Sequence, residues 1–490
     1  MNYYCHPDFK NRNNIDNKKT FKLIDNGNNK KNNELVKPPK QINNNNPDSK
    51  KKKDYQQKNS SCIKNNMNVN GKINFENKEK DNIYNISTIK NGNINSNNSS
   101  IKKEESNVKI KQRNVSQFSK NPSKYNLPKI EKKEKYINGT IGLINIGNSC
   151  YFNSAIQNLK NVYPLTLYLL KNYLKFDKNG FAFKYCELIA NLINQDTSQY
   201  FEPRDFLLKL CDIAPLFRFG QQNDSNFCIL YVLNLLEKET RTYINEKPFK
   251  KIEIINNEFC EKEKKKFSLL MTKFYEKRNS YIIDIFYGFQ EDIYKCNSCD
   301  YVNYNFQGFS VLNIPIINKN KSPLHSLTEA IDYYQEEQKH YNEEGFSCPS
   351  CNNNTISTQS FIISFPNFFI INFKRIGEDS FYNHNVSIPM EFERENLVNG
   401  DDNEYELIGF IKHYGNENSG HNIVICKNFF DSLWYEFNDS RVKHLNNSVH
   451  IKEKEIDISK GFLFFYKKKK YVITEEEKNK IITISKELRK

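Results

Sequence analysis

Cys150 is the first residue whose type and surroundings suggest chemistry. It lies in GLINIGNSCYFNSAIQNL, residues 142–159, where Asn- and Gly-rich turns precede apolar side chains at Phe152, Ile156 and Leu159. This spacing predicts a helix that begins at the cysteine. At such a position the unpaired N–H groups and the positive end of the helix dipole favour the nucleophilic thiolate. A buried structural thiol is the common alternative for this residue type.

The turn residues around the cysteine favour the nucleophile over the structural thiol. Gly142, Gly147 and Asn148 keep the backbone close and polar around the sulfur. Asn145, five residues upstream of Cys150, carries a side-chain amide. Together with the Cys150 N–H group, that amide can donate to an oxyanion.

A nucleophilic cysteine needs a base, and two of the eight histidines lie in a suitable context. His413 and His421 occupy GFIKHYGNENSGHNIVICKN, in which HNIVICK is typical of a strand with His421, Ile423 and Ile425 on one face. LWYEFND alternates again a few residues later, so the two stretches predict a hairpin.

The hairpin brings a third residue to the histidine. A four-residue loop over 428–431 pairs Lys427 with Ser432, and counting outward sets His421 directly opposite Asn438. Cross-strand Cβ atoms lie about 5 Å apart, so the Asn438 amide can hold the imidazole. The order Cys, His, Asn is that of papain-like proteases, in which the third residue fixes the orientation and tautomer of the ring.

Four of the twelve cysteines form two CxxC pairs, in YKCNSCD and FSCPSCNN. Thiolate is a preferred zinc ligand, and two such pairs suit a tetrahedral Zn²⁺ ion. The gap between the pairs exceeds that of a compact zinc ribbon, but loop entropy grows only logarithmically with length. Unrelated thiols or a redox pair are the alternative. Four protein ligands make a closed, structural site, with Cys296, Cys299, Cys348 and Cys351 as the ligands.

The first 140 residues differ in composition from the rest of the chain. They hold 33 Asn and 30 Lys and Arg against 13 Asp and Glu, whereas the remaining 350 residues are nearly neutral. They lack a sustained hydrophobic period, so we expect 1–139 to be a disordered Asn/Lys-rich tail. Compositional drift explains such a tail, and binding to nucleic acid or to an acidic membrane surface is the alternative.

No export signal opens the chain, and no run of about 18 apolar residues occurs in it. We therefore expect a soluble, intracellular monomer with free thiols, in the cytoplasm, the nucleus or both.

Residues 140–468 resemble the ubiquitin-specific proteases, a family of papain-like cysteine deubiquitinases. GLINIGNSCYFNSAIQNL is similar to the family's cysteine box, and YELIGFIKHYGNENSGHNIVICKN with WYEFNDSRV is similar to its histidine box. GQQNDSNF, IIDIFYGFQEDIYKCNSC, PNFFIINFKRI and GFLFFYKK follow the family in the same order. The resemblance implies an α+β fold: a helical thumb (about 140–280), zinc-bearing β fingers (about 281–365) and a β palm (about 366–468). A charged C-terminal extension, 469–490, follows.

The resemblance implies a thiol-dependent deubiquitinase. It would hydrolyse isopeptide or peptide bonds at the C-terminal glycine of ubiquitin through a thioester, with ubiquitin and ubiquitinated proteins as partners. Cys150 matches the nucleophile, His421 the general base, Asn438 the orienting residue and Asn145 the oxyanion donor. Asp439 matches a polar position that some members use to assist. The implied cofactor is structural Zn²⁺, and no metal takes part in the chemistry.

A narrow channel between thumb and palm is implied to admit the diglycine end of ubiquitin. The matching substrate-binding positions are Gln222, Asn223, Asn226 and Gly420. The family usually carries acids at 223 and 226, which receive the basic ubiquitin tail, and amides there weaken contacts to arginine. Asp224 is one residue away, and Asn422 replaces the usual Tyr after the catalytic histidine. These departures predict activity with altered efficiency or substrate choice.

Two alternatives to the deubiquitinase stay open at this point. One is a catalytically weakened, ubiquitin-binding scaffold, and the other is a protease for a ubiquitin-like modifier. A nucleic-acid binder that uses the basic tail is a further interpretation from a different class.

Overall fold

A computed structural model describes residues 138–490 except 194–198, 244–252, 258, 341–346, 376–381, 396, 399–401, 416–419 and 446–460. The predicted disordered tail, 1–139, therefore lies outside the described residues apart from its last two positions. Among the described residues, no helix is both long and apolar enough to cross a membrane. The predicted monomeric state, cellular location and tail partner stay predictions.

Helices dominate the first half of the described chain, and two more follow later. Pro164 lies in the first turn of the second helix, where its missing N–H group costs no hydrogen bond. The helices are α1 Cys150–Asn161, α2 Tyr163–Asn172, α3 Phe181–Ile193, α4 Arg204–Ile213, α5 Ser225–Tyr243, α6 Glu261–Arg278, α7 Tyr281–Phe286, α8 Leu327–Gln335 and α9 Glu475–Leu488.

The strands belong mostly to the second half. They are β1 Gly142–Leu143, β2 Tyr200–Phe201, β3 Gly288–Cys296, β4 Val302–Phe309, β5 Val311–Pro315, β6 Gln338–His340, β7 Ile356–Ser364, β8 Phe368–Lys374, β9 Glu391–Glu393, β10 Glu404–Gly415, β11 Gly420–Lys427, β12 Trp434–Asn438, β13 Arg441–His444 and β14 Gly461–Lys468.

An eight-stranded sheet carries the histidine segment. Its order is β13-β12-β11-β10-β14-β8-β5, with β9 paired to β10. Only β5 and β8 run parallel, and the other pairs are antiparallel. The apolar run FFIINF forms β8 near one edge, and most of its side chains are buried because both faces of the sheet are covered. Strands β8 to β14 fall in the range predicted for the palm, 366–468, whereas β5 comes from the range predicted for the fingers, 281–365.

A separate four-stranded antiparallel sheet, in the order β4-β3-β7-β6, carries the cysteine pairs at its end. Burial alternates along β4, as expected of a strand with one face toward solvent. Cys296 ends β3, and β7 follows the second cysteine pair along the chain. This sheet corresponds to the predicted fingers, so the α+β fold class is confirmed.

Helix α1 is buried on every side between the helical layer and the large sheet. All of its residues are buried, including six polar side chains in addition to the apolar stripe. Gln157 Nε2 donates to Ile141 O at 2.8 Å, and Asn161 Nδ2 donates to Gln157 O at 3.0 Å. Hydrogen bonds of this kind offset the cost of burying amides. The sequence predicted one buried face, whereas the fold buries the whole helix.

The C-terminal extension forms α9, which packs against α2 and α3. A capping box of Thr474 and Glu477 starts the helix. Ile481 is fully buried in the same hydrophobic core as the α1 stripe. Lys478 Nζ donates to Phe430 O at 3.0 Å in the β11–β12 loop. The extension therefore packs into the helical core in addition to carrying charge.

We expect Ile481→Ala to lower the free energy of unfolding by about 2–5 kcal/mol, because it removes buried apolar groups and leaves a cavity in the core. Chemical denaturation of the full chain measures this loss. Val472→Ala is the matched control, since Val472 is 71% exposed and its truncation should change stability by less than about 0.5 kcal/mol. Equal losses in the two variants would show that α9 does not contribute to the core.

Candidate active site

The turn before α1 depends on left-handed backbone conformations and on local hydrogen bonds to Asn145. Gly147 has φ +101°, a left-handed conformation that favours glycine, and Asn148 has φ 52°. Asn145 Oδ1 accepts from the N–H groups of Gly147 at 3.2 Å and Ser149 at 3.1 Å. Cys150 follows as the first residue of α1 and is 5% exposed. The predicted helix start at the cysteine is therefore present.

The histidine strand approaches from the large sheet. His421 Nε2 lies 2.7 Å from Asn438 Oδ1, so the structure brings together the two residues that the hairpin predicted. The predicted register was wrong, however. Lys427 pairs with Trp434 and not with Ser432, because the loop holds six residues. His421 and Asn438 meet diagonally, beyond the end of the strand pairing, where the chain leaves β12 for its turn.

The imidazole of His421 also contacts the thiol of Cys150. The pKa of His421 is raised from 6.5 to about 9, and the hydrogen bond with Cys150 is the largest cause. Hydrogen bonding to Asn438 and the charge of Asp439 contribute to this rise, and burial works against it. The ring is thus poised to carry a proton beside the sulfur.

Asp439 connects the histidine hairpin to the cysteine turn. Its carboxylate accepts from Asn145 Nδ2 at 2.9 Å and from Asn153 Nδ2 at 2.8 Å, and it lies 3.8 Å from His421 Nε2. Asn145 therefore points one N–H of its amide at the carboxylate. The sequence analysis did not identify Asn153 as a site residue, because nothing in α1 itself indicates a carboxylate partner 286 residues away.

A close backbone approach makes this connection fit. Asp439 has φ 51° in the two-residue turn between β12 and β13, and its carbonyl accepts from Leu143 N at 3.0 Å. A Cβ at Gly142 would lie 2.6 Å from Ser440 O and 2.8 Å from Asp439 O. Gly142 is thus required by contact with the turn that carries Asp439.

The four predicted substrate-binding residues separate into two groups. Gln222 Nε2 donates to Gly420 O at 2.9 Å, which joins the loop before α5 to the residue that precedes His421. Asn223 Nδ2 instead donates to Leu216 O at 3.1 Å within its own loop. Asn226 is buried and directs Nδ2 to Asn313 Oδ1 at 3.3 Å.

Asp224 caps α5. Its carboxylate accepts from Asn226 N at 2.6 Å and also bonds to the N–H of Phe227. Burial raises the pKa of Asp224, and these two hydrogen bonds partly offset the rise. The carboxylate is thus engaged with the helix terminus, where the helix dipole favours a negative charge.

The four CxxC cysteines converge at the end of the four-stranded sheet. Cys296 Sγ lies 3.6 Å from Cys351 Sγ, and Cys299 Sγ lies 3.6 Å from Cys348 Sγ. All four sulfur atoms lie within 4.8 Å of one another. Cys296 and Cys348 are buried, and Cys351 is exposed. The cluster can hold a metal ion.

The raised pKa of His421 predicts a dependence on Cys150. In a histidine NMR titration, Cys150→Ala should lower the pKa of His421 from about 9 toward 6.5, because the bond to sulfur is the largest cause of the shift. His421→Gln identifies the resonance. A folded-state pKa above the unfolded value stabilises the fold fully below pH 6.5, and this contribution is lost as the pH rises through about 9. An unchanged pKa in Cys150→Ala would contradict the pairing.

Comparisons with known proteins identify the family of this chain. A family model described as "Ubiquitin carboxyl-terminal hydrolase" matches residues 141–466. The human protein named ubiquitin carboxyl-terminal hydrolase 21 is 23% identical over 361 residues, which cover 67% of this chain and 61% of the relative. Human ubiquitin carboxyl-terminal hydrolase 2 is 24% identical over 364 residues, 70% of this chain and 58% of the relative. The chain spans about three fifths of the length of these relatives.

A solved structure shares the fold. The SAGA DUB module of Ubp8, Sgf11, Sus1 and Sgf73 bound to monoubiquitin matches with a TM-score of 0.51 at 19% identity. The match covers 69% of this chain and 71% of that chain. Since the family model covers most of the described residues, including the cysteine turn and the histidine hairpin, the chain belongs to the ubiquitin carboxyl-terminal hydrolase family.

Proposed function

We propose that this protein is a cysteine-type deubiquitinase that hydrolyses isopeptide or peptide bonds at the C-terminal glycine of ubiquitin. One observation carries the proposal. The imidazole of His421 is bonded both to the Cys150 thiol, at the start of α1, and to Asn438. Membership of the ubiquitin carboxyl-terminal hydrolase family supports the choice of ubiquitin as the substrate.

In the first half of the reaction, His421 accepts the proton of the Cys150 thiol. Asn438 Oδ1 holds the Nε2–H group, which leaves Nδ1 to receive that proton. The thiolate then attacks the glycine carbonyl carbon. His421 returns the proton to the departing lysine or peptide nitrogen as the C–N bond breaks, and a thioester remains on Cys150.

In the second half, water replaces the amine. His421 removes a proton from the water, and the resulting hydroxide attacks the thioester carbonyl. The C–S bond breaks and the sulfur recovers a proton from the imidazolium. Ubiquitin leaves as a carboxylic acid, which releases its proton to solvent to give the carboxylate. No metal or other cofactor takes part in these steps.

Two donors serve the tetrahedral intermediates. The Cys150 N–H group lies at the start of α1, where no intrahelical carbonyl accepts it. Asn145 Nδ2 has two hydrogens, and Asp439 accepts only one of them at 2.9 Å. Asp439 thereby fixes the amide so that the second hydrogen can point toward the oxyanion. Its charge also stabilises the imidazolium of His421 from 3.8 Å.

The proposed path of substrate entry runs beside the contact between Gln222 and the histidine strand. Because Gly420 directly precedes His421, a chain end that reaches Cys150 must run beside the hydrogen bond between Gln222 and Gly420. We assign Gln222 and Gly420 to direct contact with the ubiquitin tail. Asn223 and Asn226, which are engaged with Leu216 and Asn313, support the walls of this passage.

A ubiquitin-like modifier is the second candidate substrate. The predicted tail-binding positions 223 and 226 are amides, and the one neighbouring carboxylate, Asp224, caps α5. This part of the cleft therefore offers less negative charge to an arginine-rich tail than carboxylates would. A modifier with a less basic tail fits this charge.

The cysteine cluster fits structural Zn²⁺, the ion that the sequence predicts. Four ligands at about 2.3 Å from a tetrahedral zinc place their sulfur atoms about 3.8 Å apart, close to the two 3.6 Å separations between paired sulfur atoms. Cys296, Cys299, Cys348 and Cys351 would hold the ion. With four thiolates the site is closed, so the metal would join β3 and β7 without taking part in catalysis.

Covalent labelling tests the function and the nucleophile together. Full-length protein is mixed with ubiquitin that carries a thiol-reactive electrophile at its C-terminus, and the adduct is read as a mass shift. We expect an adduct with wild type and none with Cys150→Ala. The same probe on a ubiquitin-like modifier tests the second substrate. A folded wild type that reacts with neither would overturn the proposed function.

Turnover of a ubiquitin substrate separates the roles of His421 and Asn438. His421→Ala should lower kcat by about 10²–10⁴-fold, since it removes the general base. Asn438→Ala should lower kcat less, because misorienting a base costs less than removing it. Equal losses of kcat in the two variants would show that Asn438 does more than orient the imidazole.

Metal analysis tests the zinc site. Purified wild type should contain about one zinc per chain by elemental analysis, and Cys296→Ser should lose it together with thermal stability. Cys186→Ser is the matched control, because Cys186 is a buried thiol of α3 outside the cluster and should keep the metal. Zinc-free wild type would refute the assignment.

A further inference from the structure

A second set of buried hydrogen bonds lies behind the catalytic pair. Asn422 directly follows His421 in β11 and is 6% exposed. Its Nδ2 donates to Ser225 Oγ at 3.0 Å. Ser225, which is fully buried at the start of α5, donates to Tyr151 O at 3.0 Å. The residue after the base is thus linked to the residue after the nucleophile by one serine.

The direction of each bond is internally consistent. The Ser225 hydroxyl has one hydrogen, which goes to Tyr151 O, so its oxygen is free to accept from Asn422. Ser154 Oγ lies 3.1 Å from Ser225 Oγ and also donates to Tyr151 O at 3.0 Å. The two hydroxyls converge on the carbonyl next to Cys150.

His413 fixes the amide orientation of Asn422. The two residues are cross-strand partners in β10 and β11, and His413 Nδ1 lies 2.8 Å from Asn422 Oδ1. Because Oδ1 accepts from the imidazole, Nδ2 must face Ser225. The ring itself is held against Gly420, where a Cβ would lie 2.2 Å from His413 Nε2.

The strand that carries His421 needs such support. In the described register, β12 pairs with β11 only from Val424 onward, so the backbone of His421 is paired on one side alone, with β10. Movement of this strand end toward or away from α1 is therefore limited by side chains. Asn438 holds the ring, and the bond between Asn422 and Ser225 holds the backbone one residue further on.

The geometry points to Asn422 and Ser225 as positioning residues that set the separation between His421 and Cys150 across the two layers. This inference rests on the proposed thiol–imidazole chemistry, and it adds a contact outside the Cys, His and Asn set. Neither residue touches the reacting atoms. Their loss should therefore weaken the Cys150–His421 pair while leaving both groups in place.

The experiment measures the pair without any ubiquitin. Full-length protein is alkylated with iodoacetamide across pH 5–10, and modification of Cys150 is followed by peptide mass spectrometry. Only a thiolate reacts, so a thiol paired with an imidazolium reacts at low pH, whereas an unpaired thiol reacts mainly near pH 8.5. His421→Ala gives the profile of the unpaired thiol.

We expect Asn422→Leu, which keeps the side-chain size, to alkylate about tenfold more slowly than wild type at pH 6, with a profile moved toward that of His421→Ala. Ser225→Ala, which removes a single oxygen, should move the profile in the same direction. Asn403→Leu is the matched control, because Asn403 is a buried amide beside the opposite end of β10. It should lose stability without moving the profile.

Each result bears on one claim. If Asn422→Leu and Ser225→Ala keep the wild-type profile, the positioning role is overturned while the catalytic pair stands. Should Asn422→Leu fail to fold, the profile of Ser225→Ala decides. If the control moves the profile as much as Asn422→Leu does, the effect is general destabilisation and the inference fails. A wild-type profile identical to that of His421→Ala would remove the pair itself and with it the proposed function.

Discussion

The hydrogen bond between His421 and Cys150 is the contact on which the rest of the structure depends. The thiol belongs to a helix in one layer and the imidazole to a strand in the other, 271 residues later in the chain. Helix α1 packs against β11 of the large sheet, and this packing brings the two groups within hydrogen-bond reach. The same packing buries α1 completely, and amides of α1 form hydrogen bonds within the core.

Asp439 also connects the large sheet to the segment that carries Cys150. Its side chain bonds to Asn145 and Asn153, and its backbone carbonyl bonds to Leu143. A turn with φ 51° and a glycine opposite it allow this approach. A single aspartate thus fixes the Asn145 amide, the first turn of α1 and the histidine hairpin relative to one another. The proposed chemistry needs such an arrangement to be in place before the substrate binds.

The cysteine cluster lies at the end of the smaller sheet, which has a more polar interior than the large sheet. Strand β3 pairs along its length with β4 and β7, but the polar residues Gln290 and Asp292 occupy part of its buried surface. A sheet with so polar an interior gains less from hydrophobic burial than the large sheet, whose interior is mostly aromatic and aliphatic. The proposed metal ion, held by the four cysteines at the end of this sheet, would compensate for that smaller core.

The sequence by itself determined the features that depend on neighbouring residues. The helix start at Cys150, the strand in HNIVICK and the two CxxC pairs were predicted from local patterns, and the structure contains the helix, the strand and the cysteine cluster. Both faces of that strand are buried, however, which the local pattern did not predict. Tertiary structure decided the rest. The hairpin loop has six residues and not four, because the packing of Asn428 and Phe429 sets its length, and local alternation carries no information on that packing. The sequence also could not predict the partners of Asn153, Asn226 and Asn422. A buried amide forms hydrogen bonds with the donors and acceptors that the fold places beside it. For these three residues, those groups come from elements far away in the chain.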